Sequence, residues 1–97
     1  MKYIKKYMKE LKETIPMMES DDYKERFRAE YWQVLIRYQK LDSMLEQWSF
    51  GALEFLPVCP KWMFEKQLSI MWDYIEILRE RAKQEGIDLF NNDSKAE

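Results

Sequence analysis

DYKERFRAEYWQVLIRYQKLDSMLEQW, residues 22–48, decides the architecture of this chain. Phe27, Tyr31, Val34, Tyr38, Leu41, Leu45 and Trp48 recur at alternating spacings of four and three without a miss. At ~3.6 residues per turn, that spacing lines them up as one stripe, which needs a second helix along its whole length. Phe64, Leu68, Met71, Ile75, Leu78 and Ala82 keep the same alternation and supply that partner. The pattern predicts an all-α chain organised on a long antiparallel two-helix hairpin.

The ends of the two helices are marked as well. Ser20, Asp21 and Asp22 offer N-caps, and Glu25 lies three residues beyond Asp22, where a carboxylate suits the positive helix end. The first long helix is predicted to run to about Trp48, a length of roughly 40 Å at ~1.5 Å per residue. Ser49-Phe50-Gly51 ends it, with Gly51 able to take a left-handed conformation. Pro60 is expected as the first residue of the next helix, where its missing N–H costs nothing. That helix extends to about Glu85, with Gly86 as its terminator and Ile87 closing an apolar contact behind it.

Outside the helices the reading is looser. Residues 49–59 carry Leu53, Phe55, Leu56 and Val58 and are expected to fold over the hairpin tip; a lid over a ligand is the alternative. Residues 1–15 place Ile4, Tyr7 or Met8, Leu11 and Ile15 at helical spacing among lysines, which predicts a short amphipathic helix ended by Pro16 and laid against the hairpin. Residues 16–21 then form a linker, 22–90 the hairpin and 91–97 a flexible tail, the chain turning polar and fraying from Asp88.

Composition fits a single small domain of 97 residues. Charged residues make up 35 % and mean hydropathy is −0.65, yet aromatic residues reach 15 %, so the apolar side chains must be segregated onto faces. A hairpin buries little surface per residue and cannot hide all of them. Trp32, Leu35 and Ile36 on the first helix lie off the seam, as do Met63, Ile70, Tyr74 and Ile77 on the second, at spacings of seven, four and three. This surplus predicts a homo-oligomer, with residues 1–15 as a further cover for one of the stripes.

Several chemistries are excluded or disfavoured. There is no histidine, so histidine triads, histidine metal sites and histidine acid–base pairs are absent. Cys59 is the only cysteine; it points to a reducing, cytoplasmic setting and is expected as a small buried residue at the start of the second helix. No glycine-rich phosphate loop, cofactor motif or metal motif occurs, and no enzymatic activity is expected. No apolar run approaches the ~20 residues of a membrane span, no signal peptide is evident and no membrane partner is expected. Five lysines against one glutamate give residues 1–12 a charge of +4, which leaves −6 for the rest of a chain whose net charge is −2. A nucleic-acid-binding arm at residues 2–12 therefore ranks below the other readings, because the acidic remainder repels phosphates.

One charged cluster stands out. Arg26 and Arg28 lie near the start of the first long helix, and Arg79 and Arg81 near the end of the second. Antiparallel pairing brings those ends together, where guanidiniums can hold a phosphate bidentately. Tyr23, Tyr31, Trp32 and Tyr74 lie close enough to offer stacking faces. The plainer reading of the same residues is a set of salt bridges to Glu25, Glu30, Glu76 and Glu80.

Tyr23-Lys-Glu-Arg-Phe-Arg-Ala-Glu-Tyr-Trp, Cys59-Pro60 and Arg79-x-Arg81-Ala82 together resemble the crAss-phage-related hairpin family, small phage-encoded helical-hairpin proteins, over residues 22–89. The chain is more distantly similar to the hairpin shared by anti-CBASS and anti-Thoeris sponge proteins, in which a Glu-Arg-Tyr-like first helix is followed by a helix opened by Cys-Pro. Glu25-Arg26-Phe27 and Cys59-Pro60 correspond here; a histidine-bearing loop before the first helix has no counterpart. The resemblance implies a non-enzymatic phage anti-defence sponge, a cytoplasmic oligomer that sequesters a cyclic-nucleotide or cyclic ADP-ribose-type immune signal between protomers without cleaving it. On that reading Arg26, Arg28, Arg79, Arg81, Tyr23, Tyr31 and Trp32 are the candidate ligand-binding residues. The alternative is a helical interaction protein that inhibits or scaffolds a host protein through its exposed apolar stripe.

Overall fold

Asp22 starts the hairpin: its side chain accepts from the Lys24 N–H at 3.0 Å, and its own N–H donates to Ser20 Oγ at 3.0 Å. The structure, a computed structural model, describes residues 9–90. A 3-10 turn, Leu11–Glu13, leads into α1 (Thr14–Met18), followed by α2 (Tyr23–Ser49) and α3 (Lys61–Glu85). The described residues form three helices and no strand, as an all-α chain requires.

Both long helices end in the same way, and glycine is the reason. Gly51 and Gly86 take φ of 70° and 68°, a region that costs other residues a clash at Cβ. After α2, the Gly51 and Ala52 amides donate to the Trp48 and Gln47 carbonyls at 3.0 and 2.8 Å. After α3, those of Gly86 and Ile87 donate to Lys83 and Ala82 at 3.4 and 2.8 Å. Each pair satisfies carbonyls that the helix end would leave open. Pro60 differs from expectation: it precedes α3 as its cap, with ψ of 152°, and helical conformation begins at Lys61.

α2 and α3 run antiparallel, with Tyr23 beside Glu85, Tyr31 beside Arg79 and Trp48 beside Phe64. The predicted seam faces inward on both helices. Packing is tightest at the end where the chain enters α2 and leaves α3: Phe27, Tyr31, Ile75, Leu78 and Ala82 are buried there. Toward the tip, Tyr38, Leu41, Trp48, Phe64 and Leu68 are only half-buried. Burial of this kind is worth about 25 cal/mol per Å² of apolar surface, so stability concentrates at the closed end.

Two short segments thicken that end. On one side, Leu11 and Met17 pack against the core, and Gln33 donates to the Thr14 hydroxyl at 2.9 Å. On the other, residues 87–90 turn back along α2 and bury Ile87 and Leu89. The Trp32 indole N–H donates to the Leu89 carbonyl at 3.0 Å, and Arg28 Nε to the Asp88 carbonyl at 2.7 Å. The two segments account for the burial of Trp32, Leu35 and Ile36, the off-seam residues of α2.

Four expectations are corrected. Pro16 does not end the N-terminal helix; it sits third in α1, in the first turn, where a missing N–H breaks no helical bond, and the helix reaches Met18. The remainder of that predicted helix, residues 1–8, lies outside the described residues, as does the tail at 91–97. The chain does not fray from Asp88, because residues 88–90 are held by Arg28, Trp32 and ring contacts. The apolar loop does not fold over the tip: Phe50, Phe55, Leu56 and Val58 are exposed, Val58 at 99 %. Cys59 is likewise exposed rather than buried.

Candidate functional site

Residues two apart on a helix point about 200° away from each other, and that fact splits both arginine pairs. Arg26 turns back on the connector and donates to the Ser20 carbonyl at 2.8 Å. Arg28, 8 % exposed, faces the returning segment, where it holds the Asp88 carbonyl and forms an ion pair with Glu25 at 3.1 Å. Arg81 reaches Tyr23 and Glu85, its guanidinium 4.9 Å from the centre of the Phe27 ring. Arg79 lies on the opposite side of α3, where its Nε donates to the Tyr31 hydroxyl at 3.1 Å. The four guanidiniums do not converge on one point.

Two separate clusters result. The first is polar: the Tyr23 hydroxyl donates to Glu85 Oε1 at 2.6 Å and accepts from Arg81 at 3.0 Å, while Arg81 and Glu85 pair at 3.2 Å. The Tyr23 bond holds the Glu85 carboxyl below its ordinary range, burial opposes it, and Arg81 adds to the lowering. The same carboxylate raises the Tyr23 phenol. Next along this side, Tyr74 donates to Glu30, and this bond, with burial and the Glu30 charge, pushes the phenol up to about 12 against the pull of Arg81. The positive charge of Arg81 is already neutralised by Glu85.

The second cluster is aromatic. The Arg79 guanidinium lies 5.8 Å from the Tyr31 ring centre and 5.3 Å from that of Trp72. Tyr31 meets Phe90 edge-on at 6.1 Å, and Phe90 meets Trp32 edge-on at 5.6 Å. Tyr31 and Trp32 are buried, but Arg79 and Phe90 are exposed and Trp72 is half-exposed. Among the described residues Arg79 has no carboxylate partner. A cation on an aromatic floor can accept an oxyanion while the neighbouring rings offer faces to a planar group.

Of the residues named from sequence, Arg79, Tyr31 and Trp32 fall into this aromatic cluster, Arg81 and Tyr23 into the polar one, and Arg26 and Arg28 outside both. Trp72, Phe90 and Glu85 were not singled out. Trp72 is seven residues from Arg79, two turns along the same face, so helical spacing contained the signal. Phe90 lies beyond the end of α3, where periodicity says nothing.

Among the described residues, no group of three histidine, cysteine, aspartate or glutamate side chains could hold a metal, and no helix is long and apolar enough to cross a membrane. The Sequestin family matches residues 21–84, about two thirds of the chain and the span from the connector to the last turn of α3. This chain belongs to the Sequestin family. The family name denotes sequestration. No curated protein and no solved structure matches the chain.

Proposed function

We propose that this Sequestin-family chain is a sponge: it binds a phosphate-bearing cyclic nucleotide or cyclic ADP-ribose-type signal reversibly and without turnover, as a phage anti-defence protein in the host cytoplasm. The observation that carries the reading is the placement of Arg79, an exposed guanidinium with no carboxylate partner among the described residues, over the rings of Tyr31 and Trp72 and beside the exposed Phe90. Arg79 takes a phosphate oxygen, and Trp72 and Phe90 bracket a base. Tyr31 and Trp32 form the floor that positions them. Arg28 serves the fold that holds Phe90 in place. The family membership and the hairpin resemblance agree with sequestration.

The test is a thermal-shift screen of cyclic dinucleotides, cyclic mononucleotides and cyclic ADP-ribose-type molecules, with recovery of any ligand after heat release. At a hundredfold excess over Kd a ligand stabilises by about 2.7 kcal/mol, or on the order of 10 °C for a domain of this size. An intact ligand recovered from the protein supports a sponge; a cleaved one refutes it. If nothing in the panel shifts the melting temperature, the second reading stands, an interaction protein for a host target. It is favoured by the stripe Met63, Ile70, Tyr74 and Ile77, which α2 leaves exposed.

A further inference from the structure

We infer that the exposed face of α3 pairs with the same face of a second copy, antiparallel, about a two-fold axis that passes beside Ile70. The inference does not depend on any ligand.

Met63, Ile70 and Ile77 are seven residues apart and Tyr74 lies four beyond Ile70, so all four fall within one narrow stripe of α3. Each is exposed, Ile70 at 56 %, and α2 packs against a different face through Met71, Ile75, Leu78 and Ala82. α1 and the 3-10 turn lie on α2, so the described N-terminal segment does not cover the stripe. The stripe is symmetric about Ile70: Met63 lies about 10 Å to one side and Ile77 about 10 Å to the other, at ~1.5 Å per residue. Antiparallel pairing about a two-fold axis beside Ile70 uses that symmetry, because residue i then meets residue j and j meets i. Antiparallel pairing about Ile70 sets Met63 against the partner's Ile77, twice, and Ile70 against the partner's Ile70.

Charge selects this register. Lys66 and Asp73 flank the stripe on the same side, one on each side of Ile70 along the axis. Both are exposed, and among the described residues neither has an ion-pair partner within the protomer. In antiparallel pairing the same flank of each helix meets, so Lys66 lies level with the partner's Asp73, again twice. In a parallel pair opposite flanks meet, so Lys66 and the partner's Asp73 would lie on opposite sides of the seam and the pairing would be lost. Trp62, exposed on the same flank, extends the contact toward the tip. The tip that precedes Pro60, with exposed Phe55, Leu56 and Val58, is carried to the level of the partner's Arg81 and Glu85, so that each closed end is bordered by the other copy.

The experiment is cysteine cross-linking read with sedimentation, on the full chain in a Cys59→Ser background that removes the exposed native thiol. Ile70→Cys is expected to form a disulfide-linked dimer on mild oxidation. Met63→Cys and Ile77→Cys are each expected to stay unlinked alone and to cross-link when mixed. Cross-linking of all three alone would show a parallel pair and overturn the proposal. Sedimentation of the unmodified chain should give a dimer at micromolar concentration. Lys66→Asp should weaken it at least tenfold, and Lys66→Asp/Asp73→Lys should restore it. A compact monomer would assign the stripe to residues 1–8 or to a different protein and would equally overturn the inference. Failure of Lys66→Asp/Asp73→Lys to restore what Lys66→Asp removes, with both variants folded by circular dichroism, would refute the register.

Discussion

Arg79 Nε donates to the Tyr31 hydroxyl at 3.1 Å across the two long helices. Tyr31 is fully buried, and the guanidinium closes over a phenol that has no other hydrogen-bond partner among the described residues. The same contact holds Arg79 against Trp72 at 5.3 Å. Buried tyrosine and exposed arginine thus form one unit, with the charge at the surface and its orientation set from inside.

Arg79→Ala should weaken binding and, because the Tyr31 hydroxyl loses its partner, also lower stability, so affinity is read on variants shown to be folded by circular dichroism. Arginine–phosphate bonds are charge-assisted and contribute about 1.5–3 kcal/mol each, so a ligand found in the nucleotide screen should bind roughly ten- to a hundredfold more weakly. Arg79→Lys should not restore it, because an ammonium cannot lie flat over Tyr31 and Trp72. Arg26→Ala, which removes only a bond to the Ser20 carbonyl, should leave affinity unchanged. Calorimetry on the three variants decides; equal affinities would place the site elsewhere.

Arg28→Ala should act on stability instead. Its guanidinium is nearly buried and bridges Glu25 and the Asp88 carbonyl, and its loss frees the segment that carries Ile87, Leu89 and Phe90. A cost of about 1.5–3 kcal/mol is expected in urea unfolding. Amide exchange at Leu89 and Phe90 should rise more than exchange at Ile75. An unchanged urea midpoint would show that residues 87–90 contribute nothing to the fold.

Gly86→Ala isolates a backbone effect. A Cβ built at this glycine meets nothing within 4 Å, so no clash with a neighbour contributes. The remaining cost is the left-handed φ of 68°, about 1 kcal/mol for alanine. The urea midpoint should fall accordingly, and Gly86→Asn should recover much of the loss, since asparagine tolerates this region.

Tyr74 predicts an alkaline response. Its phenol pKa is raised from 10.0 to about 12 in the fold, chiefly by the bond to Glu30. A raised folded-state pKa means that the contribution to stability is complete below pH 10 and disappears as pH rises toward 12. Phenolate absorbance of the unmodified chain should include the late titration of Tyr74 alongside the raised phenols of Tyr23 and Tyr38. Glu30→Gln should bring Tyr74 back toward 10.0, because the acceptor loses its negative charge. A titration curve identical in the two proteins would remove Glu30 as the cause.

The sequence by itself determined the helices, their antiparallel pairing and their ends. Alternating spacings of four and three from Phe27 to Trp48 and from Phe64 to Ala82 can bury apolar side chains only as two long helices in contact. Asp22, Gly51 and Gly86 act through neighbouring backbone, within a few residues, so their roles are written locally. What lay on either side of the hairpin was decided by tertiary structure. Trp32, Leu35 and Ile36 announce a buried face, but nothing in their spacing says that residues 11–17 and 87–90 cover it, since those contacts join segments far apart in the chain. The apolar loop read as a cap because hydrophobicity was counted; its exposure depends on the path of the backbone, which no residue count contains. The arginines grouped in sequence because both helix ends meet. The structure parts them because residues two apart on a helix face opposite ways, and it adds Phe90 to Arg79 from beyond the helix end.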